Sequence, residues 1–402
     1  MRSKLCSKLA VGLATFALAS MAINTRVAAQ SETPVYNFGA TSAGAPYGGV
    51  IFDAAGNLYG TTTDGNGAVF ELTPESGGWN ETVLYTFSGG TDGNDPQAGL
   101  VMDGAGNLYG TTMQGGAYGF GTVFELSPLS GGGWSESIIH SFGNGTDGQS
   151  PQASLIIDSK QNLYGTAPTG GKYGKGVVFE LSPKTGGSWT EKLLHQFGNA
   201  SDGANPNGAL IFDASGNLYG TATRGGTHAA GIVFELLPAA HGMWSEKTLH
   251  VFNLAGGGQA PANGVILDSH GNLYGTAGAG SAGAGVVFEL VHQTSGVYNE
   301  KVVHTFLQNG IDGYGPQGLI IDASGNLYGT TYVGGAYAFG TAYELSPTAK
   351  GNFSETILHS FNLYGDGAYP YGTLVRDSAG NVYGTTYQGG TNENGLVFEI
   401  TP

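Results

Sequence analysis

Apolar and polar positions recur in a fixed order along this chain, and the stretch from 209 to 252 shows the order well. An apolar run, Ala209-Leu-Ile-Phe, ends at Asp213, and a second, Asn217-Leu-Tyr-Gly-Thr221, follows after Ala-Ser-Gly. Two strand-length segments joined by a short glycine-bearing connection predict an antiparallel hairpin. A third segment, Ile232-Val-Phe-Glu-Leu236, is rich in β-branched and aromatic residues and stops at Pro238, whose nitrogen has no hydrogen to give to a ladder. The fourth, Trp244 to Phe252, alternates in part. These segments are read as strands a, b, c and d of one antiparallel unit.

The unit repeats. Asn-Leu-Tyr-Gly-Thr, or a close variant, begins at Asn57, Asn107, Asn162, Asn217, Asn272, Asn326 and Asn381, at intervals of 50, 55, 55, 55, 54 and 55 residues. No stretch beyond residue 30 spaces its apolar residues by three and four over several turns, so helical repeats are excluded. Four strands in about 50 residues suit a propeller blade, and seven copies fall within the usual four to eight blades.

The last copy stops after its third strand, Leu396 to Ile400, close to Pro402, whereas Pro34-Val-Tyr-Asn-Phe38 resembles the end of a d strand such as Leu358-His-Ser-Phe361. A ring whose seventh blade takes its fourth strand from the other end of the chain has no free sheet edge. The expected fold is therefore all-β: a seven-bladed β-propeller with four antiparallel strands per blade, the N-terminal strand completing the last. Residues 30–402 form one domain, with units at about 39–87, 88–142, 143–197, 198–252, 253–306, 307–361 and 362–402 plus 33–38.

Composition adds a location. Lys4 and Lys8 precede an apolar run from Leu9 to Ile23, and Val27-Ala28-Ala29 leads to Gln30. That is the pattern of a secretory signal peptide over 1–29, too short in its apolar core to span a bilayer. No later apolar run is long enough to span one either. Cys6 is the single cysteine, so the exported chain can form no disulfide and depends on packing and strand pairing. Loss of Arg2, Lys4, Lys8 and Arg26 moves the net charge from -16 to -20, which argues against nucleic acid as a partner.

The repeats, Asp-x-x-Gly-Asn-Leu-Tyr-Gly-Thr followed by Val-Phe-Glu-Leu, resemble those of the bacterial GloVer-type "choice-of-anchor" tandem-repeat proteins over essentially the whole exported chain. Strands a and b are similar, more loosely, to NHL-repeat and streptogramin-lyase propellers. The first resemblance implies export and a repeat ectodomain, often joined to a C-terminal surface anchor, and carries no chemistry. This sequence departs from it by ending inside the last blade.

Of the 30 acidic residues, 25 belong to the repeat. Asp53, Asp103, Asp158, Asp213, Asp268, Asp322 and Asp377 precede the a-to-b turn, where an aspartate accepts bonds from the following amides. Glu71, Glu125, Glu180, Glu235, Glu289, Glu344 and Glu399 lie on strand c and are expected to face the d-strand histidines His140, His195, His250, His304 and His359 within a blade. A residue needed in every blade serves the blade, so structure is the expected role. His and Glu about 50 residues apart lack the local spacing of a zinc site. No Asp-x-Asp-x-Asp-Gly loop occurs. No cofactor is expected, calcium being the one cation that such acidic, glycine-rich turns would admit. Trp79, Trp134, Trp189, Trp244, Tyr298 and Phe353 open strand d and are read as covers over their own blades.

Variation gathers in the b-to-c and d-to-a loops, which emerge on one face because strands b and d run the same way. There the sequence places Tyr118, Tyr173, His228, Tyr332, Tyr337, Tyr369, Tyr371 and Tyr387 as candidate ligand-binding residues, with Tyr47, Tyr314 and Tyr364 on the same face. Tyrosine rings give contact area at low entropic cost and neighbouring amides give direction. The leading expectation is a binding or scaffold module for a glycan or a protein. Its competitor is a propeller enzyme, lyase or hydrolase, working over the central channel with Arg224, His228, Arg376 and Glu393 as candidates. No nucleophile, base and orienting group can be assembled from the sequence.

Overall fold

The computed structural model describes residues 31–39, 44–198, 201–253, 257–278 and 283–402. The expected leader, residues 1–29, and the start at Gln30 lie outside them. Seven four-stranded antiparallel sheets form the blades, each in the order a-b-c-d. Blade 1 comprises Ile51–Phe52, Leu58–Thr62, Ala68–Glu75 and Gly78–Thr86. In blade 4 the strands are Ile211–Phe212, Leu218–Ala222, Ile232–Pro238 and Trp244–Val251.

Blade 7 is built from both ends of the described chain. Val375–Arg376, Val382–Thr386 and Leu396–Thr401 are joined by Ser31–Asn37, with Ser31 opposite Thr401 and Asn37 opposite Leu396. The propeller is a closed ring. The joining strand starts earlier than Pro34 and carries the whole d pattern, because Glu32 and Tyr36 occupy the ladder positions of Glu81 and Tyr85.

The motif residues explain themselves in three dimensions. Strand-c aromatics such as Phe70, Phe124 and Phe234 are fully buried, and their rings lie across the glycine of Asn-Leu-Tyr-Gly-Thr. A Cβ at Gly110 or Gly220 would sit 2.5 Å from the ring of Phe124 or Phe234, so the position must be bare. The phenylalanine ending each d strand meets the next blade's strand-c ring at 4.9–5.2 Å between centroids. Phe38 and Phe70 make the same contact at 5.0 Å across the joint between the two ends. Nearer the axis the strand-b threonine donates to the backbone that leads into the next blade's strand a, as from Thr61 to Ala98 O at 2.8 Å and from Thr385 to Gly48 O at 2.9 Å.

At each a-to-b turn the aspartate is caged by donors. Asp213 Oδ1 accepts from the amides of Ser215 and Asn217 at 2.8 and 2.9 Å, and Oδ2 from Asn217 Nδ2 at 2.8 Å and the Tyr219 hydroxyl at 3.2 Å. The same Tyr219 hydroxyl lies 2.9 Å from Glu235 of strand c. Equivalent cages surround Asp53, Asp103, Asp158, Asp268, Asp322 and Asp377. These aspartates build turns.

Two expectations about the repeat need correction. The strand-c glutamates do not face the histidines of their own blade: Glu180 is opposite Lys192, with the ion pair at 3.3 Å, while His195 is opposite Val178 beyond a bulge. Lys247–Glu235 and Lys301–Glu289 follow the same register at 3.4 and 2.8 Å. The histidines instead reach across to the next blade's strand d, as His140 does toward Glu191 at 3.7 Å. The aromatic that opens strand d likewise covers more than its own blade, since Trp134 and Trp189 pack edge-on against Tyr59 and Tyr109 of the preceding one.

Candidate functional site at the tyrosine-lined channel mouth

The d-to-a and b-to-c loops do share a face, because within a blade they pair with each other: Gly148 with Gly170, Gly203 with Gly225 and Gly313 with Gly334. The residue before each loop proline is left-handed: Ala45 (φ 57°), Asp95 (60°), Ser150 (55°), Asn205 (56°), Ala260 (50°) and Tyr369 (59°). A hydrogen bond holds it there against its ordinary preference. Its N–H donates into the preceding blade, from Asp95 to Asn66 O at 3.1 Å, Ser150 to Phe120 O at 2.8 Å and Tyr369 to Phe339 O at 2.9 Å.

The residue after the proline is thereby set at the channel mouth. Tyr47, Gln97, Gln152, Asn207 and Tyr371 line a cavity of about 320 Å³, whose wall is otherwise the segments leading into strand a of blades 1 to 5 and 7. Its floor is tight, since small residues let the inner strands touch backbone to backbone; a Cβ at Gly372 would meet Gly49 N at 2.5 Å.

One sector of the mouth is aromatic. The Tyr371 ring is sandwiched between Tyr47 at 4.3 Å and Tyr332 at 4.4 Å, with interplanar angles of 20° and 29°. Tyr369 joins Tyr332 at 5.1 Å, and Tyr387 stands edge-on to Tyr47 at 5.9 Å. Burial, then the neighbouring hydroxyls, raises Tyr371 above the ordinary tyrosine range, and burial raises Tyr47 likewise. Both stay neutral.

Beside Tyr47 and Tyr387 a second hollow of about 340 Å³ is lined by Thr63, Asn94, Asp95, Gln97 and Gln114. Burial pushes the Asp95 carboxyl up, against the stabilising bond donated by Gln97 Nε2 at 3.0 Å. Aromatic faces and directed amides thus meet at one rim.

Four of the eight candidate residues, Tyr332, Tyr369, Tyr371 and Tyr387, come together here. The other four do not. Tyr118, Tyr173, His228 and Tyr337 occupy one equivalent loop position in blades 2, 3, 4 and 6 and are exposed, so each stands alone on the outer rim. Tyr173 lies against the Gly198 backbone. The enzyme candidates are also apart: Arg376 sits by the turns of the opposite face, 3.5 Å from Asp322 and over the Tyr328 ring, whereas Arg224, His228 and Glu393 belong to loops of blades 4 and 7. Gln97, Asn94, Asp95 and Gln114 were not expected. The signal for Gln97 is the variable residue after each loop proline, which reads Tyr47, Gln97, Gln152, Asn207, Ala262, Gln317 and Tyr371 around the ring.

The description of the Gloeobacter/Verrucomicrobia repeat matches residues 23–211, 63–277 and 243–402. The chain belongs to that repeat family. In fold, this Gloeobacter/Verrucomicrobia repeat protein is similar to a proposed 6-phosphogluconolactonase of Bacteroides uniformis, with a TM-score of 0.53, 13% identity and coverage of 81% of this chain and 87% of that one. It is also similar to a proposed 6-phosphogluconolactonase of Bacteroides fragilis, with a TM-score of 0.51, 16% identity and coverage of 80% and 85%. At such identities the likeness concerns the propeller alone. No curated protein matches the sequence. Among the described residues no helix is long and apolar enough to cross a membrane.

Proposed function

We propose that this repeat propeller is an exported binding module that takes a glycan at its tyrosine-lined mouth. The observation that carries the reading is the Tyr47–Tyr371–Tyr332 stack, its ring planes within 29° of parallel, beside the side chains of Asn94, Gln97 and Gln114. Sugar rings present C–H faces that pack on aromatic faces, and hydroxyls that need directed amide and carboxylate partners. Hollows of about 320 and 340 Å³ suit one or two sugar units, whereas a protein partner needs roughly 800 Å² on each side. The leader-like pattern and the cysteine-free remainder of the chain support export.

The enzyme reading has less support. Asp95 is the one acid among the described residues lining the two hollows, and no histidine, lysine or arginine accompanies it. The lactonase names of the two Bacteroides proteins add nothing residue by residue. A glycan array with the chain from residue 30 onward tests the proposal. Binding is expected for wild type and a loss of at least about ten-fold, ~1.4 kcal/mol, for Tyr371→Ala. Equal binding by a correctly folded Tyr371→Ala/Tyr332→Ala double variant overturns it.

A further inference from the structure

The seams between blades carry a second recurring cluster. Strand d of one blade supplies a histidine or tyrosine, the loop after it supplies an aspartate, and strand d of the next blade supplies a glutamate. His304, Asp312 and Glu355 meet in this way between blades 5 and 6, with ligand atoms within 4.8 Å of one another. Sequence separation had argued against a metal because histidines and glutamates of different blades lie about 50 residues apart, as His304 and Glu355 do, but the packing of neighbouring blades sets their d strands side by side.

We propose that the seam between blades 5 and 6 binds a divalent cation of the zinc class through His304, Asp312 and Glu355. Three buried atoms there have no hydrogen-bond partner: His304 Nε2, Asp312 Oδ1 and Glu355 Oε1. Asp312 is 6% exposed, so its free oxygen is a costly orphan unless something fills the site. The other oxygen, Oδ2, is anchored by the Leu307 amide at 2.8 Å, and the histidine ring is held edge-on against Phe306 at 4.6 Å. No lysine or arginine among the described residues pairs with either carboxylate.

The distances from the histidine suit ligands that share a cation. Ligands about 2.1 Å from a tetrahedral zinc lie roughly 3.4 Å apart. His304 Nε2 stands 3.4 Å from Glu355 Oε1, too far for a strong hydrogen bond and right for a tetrahedral edge; to Asp312 it stands 3.6 Å from Oδ2, the oxygen that the Leu307 amide already bonds. One nitrogen and two carboxylates form a donor set that zinc accepts, with water in the fourth position. Side-chain exposures of 19% at His304 and Glu355 leave an entry path.

Two sister seams, His140–Asp147–Glu191 and His359–Asp366–Glu32, also bring three such residues within 4.8 Å and leave Glu191 Oε1 and Glu32 Oε1 without a partner, but there the histidine is already bonded to its aspartate. His140–Asp147 at 2.9 Å and His359–Asp366 at 2.7 Å are hydrogen-bond lengths. His195 straddles both Asp202 oxygens at 3.3 and 3.1 Å. Tyr85 donates to Asp92 and Tyr36 to Glu81 at 3.0 and 2.9 Å, and His250 faces Glu300 at 3.5 Å without an aspartate.

Tag-free protein stripped with chelator and titrated calorimetrically with zinc chloride is expected to take up about one equivalent. Asp312→Asn and Glu355→Gln should each weaken uptake at least ten-fold, and Asp147→Asn, in a sister seam, should leave it unchanged. Far-ultraviolet circular dichroism checks that each variant is folded. No zinc uptake by wild type, or undiminished uptake by folded Asp312→Asn and Glu355→Gln, overturns the proposal.

Discussion

The two faces of the propeller answer to different rules. On the a-to-b face seven aspartates sit in seven near-identical cages, each with the same amide, asparagine and tyrosine partners. At the channel mouth the backbone repeats as faithfully, down to the left-handed residue before each proline, but the side chains differ from blade to blade. The contrast separates residues that make a blade from residues that a ring of blades presents. Only where the repeat is broken does the molecule have a direction, and the break is concentrated in the tyrosines of blades 6, 7 and 1.

The most severe way to break this comparison is to open the ring, because both faces depend on it. Removing residues 31–38 bares the edge of Leu396–Thr401 and takes out Phe38, which is fully buried against Phe70. Loss of cooperative thermal unfolding, with aggregation, is expected by calorimetry and light scattering. A next step down affects the turn and interior of a blade and leaves the mouth alone. Asp213→Ala strips four donors of their acceptor, at a cost on the order of 2 kcal/mol or more, and Gly220→Ala drives a methyl into the Phe234 ring, costing about 1–3 kcal/mol. Both should lower the denaturant midpoint while leaving glycan affinity untouched.

Tyr371→Ala should do the reverse. Because the ring is half-buried at a rim and not in the core, the midpoint should move by less than about 1 kcal/mol while affinity falls. The smallest effect concerns pH and the seams. Burial, with the adjacent Asp147, raises Glu191 to about 8, and burial raises Glu32 to about 7. A carboxyl raised on folding binds its proton more tightly in the native state, so its stabilisation is present in acid and fades as pH climbs from about 4.5 through 8. The melting temperature should accordingly fall by a few degrees between pH 5 and pH 8.5. Glu191 faces His140 and Asp147 across its seam, and Glu191→Gln should flatten part of that slope.

The ring was legible in the sequence because its signal is periodic and local: hairpin turns, strand-length apolar runs, and a last unit that lacks one strand. Even the split blade could be read, from the missing fourth strand and the likeness of Pro34–Phe38 to the end of a d strand. What could not be read is contact across blades. The partners of His140, Asp147 and Glu191 follow from closure of the ring and from a bulge at Val123/Phe124 that turns the histidine toward the neighbour, and neither leaves a mark in residue spacing. Half of the candidate residues were separated from the rest for a similar reason. Tyr118 and Tyr371 both lie on variable loops, but Tyr371 follows a proline and is set at the mouth by a left-handed residue whose conformation no side chain announces.

Hydrogen exchange with and without the oligosaccharide selected by the glycan array tests most directly whether the broken sector is the binding surface. Amides of residues 44–49, 94–97, 331–333, 369–373 and 387–388 should exchange more slowly when the sugar is bound, and those of the a-to-b turns should not change. Protection confined to the turn face, or spread evenly over all seven blades, would contradict it.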